Sequence, residues 1–171
     1  MVLALVTAWP ATAFAKLTVS SAAFGPGGRI ALRYVSKRCG GQNVSIPLVW
    51  RGLPALTRSV AVSMFDPDAR SGAGVWHWMV YDIPASASHL VASVDGLQLP
   101  EGSVTGRNTE QLEQYSGPCP PRGELHHYRI KVYAIGTGFI QAMPERGAAV
   151  IVNRLTPELL ASATLVGTYR R

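Results

Sequence analysis

Residues 117–128 read Gly117-Pro118-Cys119-Pro120-Pro121-Arg122-Gly123-Glu124-Leu125-His126-His127-Tyr128, a proline-stiffened loop that runs straight into a segment of alternating character. The prolines fix their own φ and carry no N–H, so the backbone donors of the loop are chiefly the amides of Gly117, Cys119, Arg122 and Gly123, in a shape with little freedom to relax. A rigid rim of this kind suits a small anion, because ordering a floppy loop consumes the affinity for a ligand of few atoms. After the loop, His126, Tyr128, Ile130, Val132 and Ala134 share one face of a predicted strand, and His127, Arg129, Lys131 and Tyr133 share the other. The first set is the buried one. The His126-His127 doublet therefore sends its two rings to opposite faces and does not form a metal-binding pair by itself.

Working outward, residues 59–65 and 75–83 read as a hairpin. Asp66-Pro67-Asp68 opens the turn, and Gly72 and Gly74 allow the return. Strict alternation on the second strand places Val75, His77, Met79 and Tyr81 on one face and Trp76, Trp78 and Val80 on the other. Apolar residues on both faces predict a sheet covered on both sides. Asp66 and His77 fall near the turn end of this hairpin, where they can meet. Further on, residues 96–114 read as a long polar loop carrying Arg107 and Asn108 toward the same region. His89 reads as a loop residue, and Asp82 as ending its strand before Ile83-Pro84. Thr156-Pro157-Glu158 has the pattern of a helix start, predicting a short helix to Ala163 and a last strand over residues 164–169. Residues 148–155 fit either helix or strand by periodicity.

Three blocks, Asp66-Pro67-Asp68-Ala69, His77-Trp78-Met79-Val80-Tyr81-Asp82-Ile83-Pro84, and Gly117-Pro118-Cys119-Pro120-Pro121 followed by His126-His127-Tyr128, resemble the signature blocks of the phosphatidylethanolamine-binding protein family, in its bacterial Raf-kinase-inhibitor-like branch. The run from Asn43 through Trp50 with Gly52 and Pro54, and the ending Leu165-Val166-Gly167-Thr168-Tyr169-Arg170-Arg171, are similar to the family's early block and bacterial C-terminus. The resemblance implies a mainly β fold, two antiparallel sheets packed as a β-sandwich with a few short helices. It also implies a pocket for phosphate-like anions or a phospholipid head group at Asp66, Asp68, His77, Gly117, Cys119, Pro121, His126 and Tyr128. Arg70 departs from the pattern, standing where the family usually has proline; it adds a cation to the rim and removes a stiffening residue from the turn.

At 171 residues the chain has the length of one domain, able to bury roughly two thirds of its unfolded surface without a staple. Residues 1–15 read as a signal peptide, with an apolar run at Val2 to Val6 and Ala13-Phe14-Ala15 ahead of Lys16 as an A-x-A-like cleavage site, although no Lys or Arg precedes the run. Residues 16–171 then form the single domain, and the expected location is periplasmic or secreted. In such a compartment the two cysteines, Cys39 and Cys119, favour a disulfide between them.

Sixteen Lys and Arg against ten Asp and Glu give a net charge of +6, in scattered positions and without a nucleic-acid-binding motif. The expected partners are a phosphate-bearing small molecule or phospholipid head group, with peripheral contact to an anionic membrane, and not nucleic acid. Arg70, Arg107 and Arg122 flank the pocket motifs. A binding module without cofactor or metal is the favoured class: imidazolium and tyrosine donate to the anion, while Asp66 orients a histidine or receives an ammonium group. An enzyme using Asp66, His77 and His126 as a metal site or acid–base set is the alternative, disfavoured by the absence of an activated-nucleophile motif. Docking on a kinase or protease as an inhibitor is the third, a role the resemblance implies for some relatives.

Overall fold

In a computed structural model, which describes residues 16–140 and 147–171, the strands are β1 (Thr18–Ser20), β2 (Leu48–Arg51), β3 (Ser59–Asp66), β4 (Val75–Pro84), β5 (His89–Leu90), β6 (Val104–Thr105), β7 (Leu125–Ile135) and β8 (Leu159–Arg170), with one α-helix, α1 (Ala148–Leu155). The signal-peptide reading of residues 1–15 lies outside the described residues. The strands form two antiparallel sheets, β1-β2-β5 and β6-β4-β3-β7-β8. Alternation explains the layering. Val60, Val62 and Met64 of β3 and Tyr128, Ile130, Val132 and Ala134 of β7 face the small sheet and pack with Leu48, Trp50 and Leu90 in the main core. The opposite face of the large sheet, with Ala61, Met79, Tyr81, Tyr133 and Ile135, is covered by Ile151 and Leu155 of α1. Both faces near the hairpin are thus buried, the mainly β architecture read from the sequence.

Four local expectations are corrected. Residues 159–163 are not helical: β8 begins at Leu159 and pairs with β7 from Ile135↔Leu159 to Leu125↔Arg170. Leu-Leu-Ala-Ser-Ala has ample helix propensity, but a continuous ladder on β7 outweighs a preference of a few tenths of a kcal/mol per residue. Thr156–Glu158 closes only a 3₁₀ turn, and the Thr156 hydroxyl donates back to the carbonyl of Val152 in α1 instead of capping a new helix. Asp82 lies inside β4 with φ 54°, where its carboxylate accepts the amide of Ile140. His89 belongs to β5 and is exposed.

The remaining correction concerns a face, and it builds the site. Met64 pairs with Trp78 but Phe65 pairs with Trp76, so His77 is the extra residue of a β-bulge. Strict alternation grouped His77 with Met79 and Tyr81, which lie on the α1 side; the bulge turns it to the main-core side with Trp78 and Val80. There its ring meets Tyr128 edge-on, with centroids 5.3 Å apart.

Candidate functional site

Beyond the last apolar residues of the main-core face, Met64 on β3 and Ile130 on β7, the same rows continue with Asp66, Tyr128 and His126. These polar residues, with His77 from the bulge, line a cavity of about 480 Å³, within the range of pockets that hold small organic ligands. Its rim is completed by the β3–β4 turn, by the loop of residues 117–121, and by Arg38, Thr109, Glu110 and Glu124.

Asp66 is 2 % exposed and fully engaged. One carboxylate oxygen accepts the amides of Asp68 at 2.9 Å and Ala69 at 3.2 Å, which shapes the turn; the other accepts Nδ1–H of His126 at 2.7 Å. His126 lies with its second nitrogen 3.2 Å from the Glu124 carboxylate. Burial opposes charge on this ring, but the bonds to Asp66 and Glu124 outweigh it and hold its pKa above the ordinary histidine value. His126 therefore lies between two carboxylates that favour its charged form.

His77 is its opposite. Nδ1 lies 2.7 Å from the carbonyl of Ser116, and since a carbonyl only accepts, the proton resides on Nδ1. Burial drives its pKa down, against the raising influence of the Ser116 bond and the Asp66 and Glu110 charges, so the ring is neutral and Nε2 carries a lone pair. That Nε2 stands 3.9 Å from Asp66, too far for a hydrogen bond. The hydroxyl of Tyr128 is buried and has no hydrogen-bond partner among the described residues. Burial first, and then the charge and hydrogen-bonding influence of the nearby Asp66 carboxylate, which stands outside full hydrogen-bond geometry, push its pKa well up, so it remains a neutral donor.

The proline loop is more committed than its amide count suggests. Gly117 N–H donates to Oδ1 of Asn43 at 2.7 Å and Gly123 N–H to the carbonyl of Arg171 at 2.9 Å. Of the four donors read from the sequence, the amides of Cys119 and Arg122 are left without a partner among the described residues, and only Cys119 lies on the cavity wall. Asn43, at φ 55°, is the organiser that sequence reading missed: its amide group also donates to Asp95 and to the carbonyl of Tyr115, both at 2.8 Å. A Cβ on Gly117 would lie 2.3 Å from the carbonyl oxygen of Tyr34, so the loop packs backbone to backbone against residues 34–36. Cys39 and Cys119 form a disulfide across the same seam, with Cα atoms 5.6 Å apart. It brings Arg38 to the rim, where it pairs with Glu110.

Asp68 lines the rim, but its Oδ2 is tied to His127, accepting the backbone amide at 2.7 Å and lying 2.8 Å from Nδ1. Burial is the largest single influence and raises its pKa, but the bonds to His127 and the His127 and His126 charges together more than offset it, leaving it lowered. Pro121 is on the cavity wall. Residues 96–114 deliver Thr109 and Glu110 instead of Arg107 and Asn108: Arg107 pairs with Glu113, and Asn108 is 1 % exposed, holding the loop through the amides of Glu110 and Leu112 and the Ser116 hydroxyl. Arg122 is exposed and off the wall, whereas Arg70 lines it at φ 52°, a conformation closed to proline. The turn therefore follows a path of its own. Among the described residues no group of three His, Cys, Asp or Glu side chains is placed to hold a metal ion.

The family model described as phosphatidylethanolamine-binding protein matches residues 20–170, nearly all of the chain. The chain belongs to the phosphatidylethanolamine-binding protein family. Within it, the similarity is to the bacterial YbhB/YbcL-type branch. The UPF0098 protein YbcL of Escherichia coli is 39% identical over 135 residues, covering 77% of this chain and 74% of YbcL. Its crystal structure superposes with a TM-score of 0.87 over 92% of this chain and 99% of the solved one. A UPF0098 protein of Methanothermobacter thermautotrophicus is 38% identical over 157 residues, 91% of this chain and 99% of the relative. A protein of Mycobacterium tuberculosis named as a candidate lipoprotein, LppC, is 35% identical over 162 residues, 94% of this chain and 75% of the relative.

Proposed function

We propose that this chain is an exported binding protein whose cavity holds the phosphate-type anion of a small molecule or head group, without metal or cofactor and without catalysing a reaction. The observation that carries the reading is the Tyr128 hydroxyl: a buried donor beside the cavity, flanked by His77 and the Asp66–His126 pair, that has no hydrogen bond of full geometry among the described residues and feels the nearby Asp66 carboxylate. Buried donors are almost always well bonded, so an under-satisfied one on a residue that lines a cavity marks a place where a ligand oxygen can complete the bonding. Cys119, whose amide has no partner among the described residues, also lines the wall, and Arg38 and Arg70 stand at the rim. Asp66, Glu110 and Glu124 balance these cations, which suits a ligand carrying both an anion and a hydroxyl or ammonium donor.

Export is supported by the signal-like residues 1–15, by the disulfide and by the likeness to a candidate lipoprotein; the location is periplasmic or secreted. A kinase- or protease-inhibitor-like role is the same event with a phosphate carried by a protein, and the net charge of +6 favours anionic partners or membrane surfaces. The alternative of a metal-dependent or acid–base enzyme built on Asp66, His77 and His126 predicts a stoichiometric metal or turnover. Calorimetric titration of the mature chain with phosphate, phosphoethanolamine and phosphotyrosine, with metal analysis of the preparation, separates these readings. Saturable metal-free binding that His77→Ala loses supports the proposal; no binding to any of the three overturns it.

A further inference from the structure

We infer that the free edge of β8 is a docking site for an acidic polypeptide segment, which adds to the large sheet as a further strand beside Ser162 and Thr164. The inference does not depend on what the cavity binds.

A strand at the border of a sheet leaves half of its backbone groups without a partner strand. On β8 that half can be read from the end that is covered. The carbonyls of Val166 and Thr168 accept the amides of Gly27 and Ile30, both at 2.8 Å, and the Thr168 amide donates to the carbonyl of Gly28 at 2.9 Å, all on the side away from β7. The amide and carbonyl of one strand residue point the same way, and the direction reverses at each residue. The register with β7 runs unbroken from Ala161 to Arg170. Ser162 and Thr164 therefore also present their amides and carbonyls outward, where these have no partner among the described residues. Natural edges are guarded by a lysine, a proline or a short length. Residues 159–169 contain no charged residue and no proline, and β8 is 12 residues long.

Charge beside this edge selects the partner. Ser162, Thr164 and Val166 share a face of the sheet with Tyr133, Lys131 and Arg129, their register partners on β7. Arg129 is exposed, and Lys131 is half-buried with its Nζ 4.9 Å from the centroid of the Tyr133 ring. Neither forms an ion pair among the described residues. On the β3 side their register partners are Phe65 and Ser63, so no carboxylate balances them along the ladder. A strand added to β8 stands two strand spacings, about 10 Å, from β7. Thr164 and Val166 between them are short, so a lysine or arginine reaching over meets a glutamate reaching back. Carboxylates at every second position of the incoming strand then face Lys131 and Arg129. The positions between them fall beside Ala161 and Ala163, which pack against the main core. The ligand class is thus an extended segment alternating acidic with apolar residues. Lipid headgroups and nucleic acid offer no row of amides and carbonyls to this edge, and a second copy would bring further cations to it.

The test titrates the isotopically labelled full chain with an end-blocked Glu-Val-Glu-Val-Glu-Val-Glu peptide and with its Lys-Val counterpart, followed by amide NMR. The acidic peptide is expected to bind at least about tenfold more tightly, to lose affinity as salt rises from about 50 to 300 mM, and to shield the Ser162 and Thr164 amides from hydrogen exchange. Thr164→Pro removes an outward donor at a position that an edge strand tolerates, and should weaken binding about tenfold with an unchanged circular dichroism spectrum. Arg129→Glu combined with Lys131→Glu leaves the backbone edge intact and should reverse the peptide preference, a second reading if the proline variant does not fold. Equal binding of the two peptides, displacement by inorganic phosphate, or no saturation up to about 1 mM peptide overturns the inference. So does a dimer in sedimentation analysis that Thr164→Pro dissociates, which gives the edge to a second copy.

Discussion

Replacing Tyr128 by phenylalanine removes a single oxygen, and the structure gives that oxygen opposite values for stability and for binding. The ring stays: it is 0 % exposed, packs edge-on against His77, and loses no contact in the variant. The hydroxyl has no hydrogen bond of full geometry among the described residues, with the Asp66 carboxylate nearby, so its deletion breaks no well-formed bond. A buried polar group left unpaired costs roughly 1–3 kcal/mol. Because the nearby Asp66 carboxylate partly engages this one, we take the lower part and expect the variant to be more stable by about 1–1.5 kcal/mol. An ordinary bonded hydroxyl behaves in the reverse sense, its loss costing about 1 kcal/mol. Binding moves the other way. A hydrogen bond to a charged group contributes about 1.5–3 kcal/mol, so phosphate affinity should fall by roughly 10- to 150-fold. Urea unfolding of both proteins measures the first quantity and calorimetric titration with phosphate the second. A variant less stable by about 1 kcal/mol with unchanged phosphate affinity would refute the reasoning, since the hydroxyl would then be a satisfied structural group.

The other predictions test the frame around that hydroxyl. His126→Ala should weaken anion binding far more than His127→Ala, because the first ring is clamped to Asp66 at the cavity wall and the second ties Asp68 on the outer face; equal losses measured by titration would contradict the assignment of faces. The two site histidines should titrate on opposite sides of the ordinary value of about 6.5 in imidazole NMR, His126 above it and His77 below. With its raised pKa, His126 contributes stability that is full below about pH 6.5 and is lost as pH rises through its folded value; the contribution of neutral His77 is present above about 6.5 and is lost on acidification toward its lowered value. Denaturant midpoints across this range should therefore peak between the two. Cys39→Ser should lower stability by about 4–5 kcal/mol in the chain-entropy model for a bridge with a sequence separation of 80, and should loosen the 117–121 wall; a reduced protein with unchanged urea midpoint and anion affinity would show that the bridge holds nothing. Gly41→Ala should be more disruptive than any surface substitution, since the new Cβ would sit 2.0 Å from the backbone oxygen of Val35; normal expression and melting would argue against that close packing.

Much of this site was legible locally. Period-two alternation over residues 126–134 correctly sent His126 and Tyr128 inward and His127 outward, because strand geometry makes a side chain's face a matter of parity. The same rule failed at His77, where parity was interrupted by a bulge that exists only in the pairing of β4 with β3. A different reading, the helix-start signal at Thr156-Pro157-Glu158, failed at residues 159–163, whose own preference is helical but whose place is a ladder on β7. Counting amides in the proline loop overstated the free donors, since Gly117 and Gly123 are bonded to Asn43 and to the carbonyl of Arg171, both remote from them in sequence.

The residues by themselves determined the β class, the inward polar row at the mouth of the core, the cysteine pair and the family, all of which depend on short-range pattern or motif. Tertiary structure alone decided which way His77 faces, that its free nitrogen is an acceptor, that Asp66 and Glu124 favour the charged form of His126, and that Asn43, Arg38 and Glu110 belong to the site. A side chain's face follows from its neighbours along the chain, whereas its protonation and its partners follow from charges and carbonyls that arrive from elsewhere in the sequence.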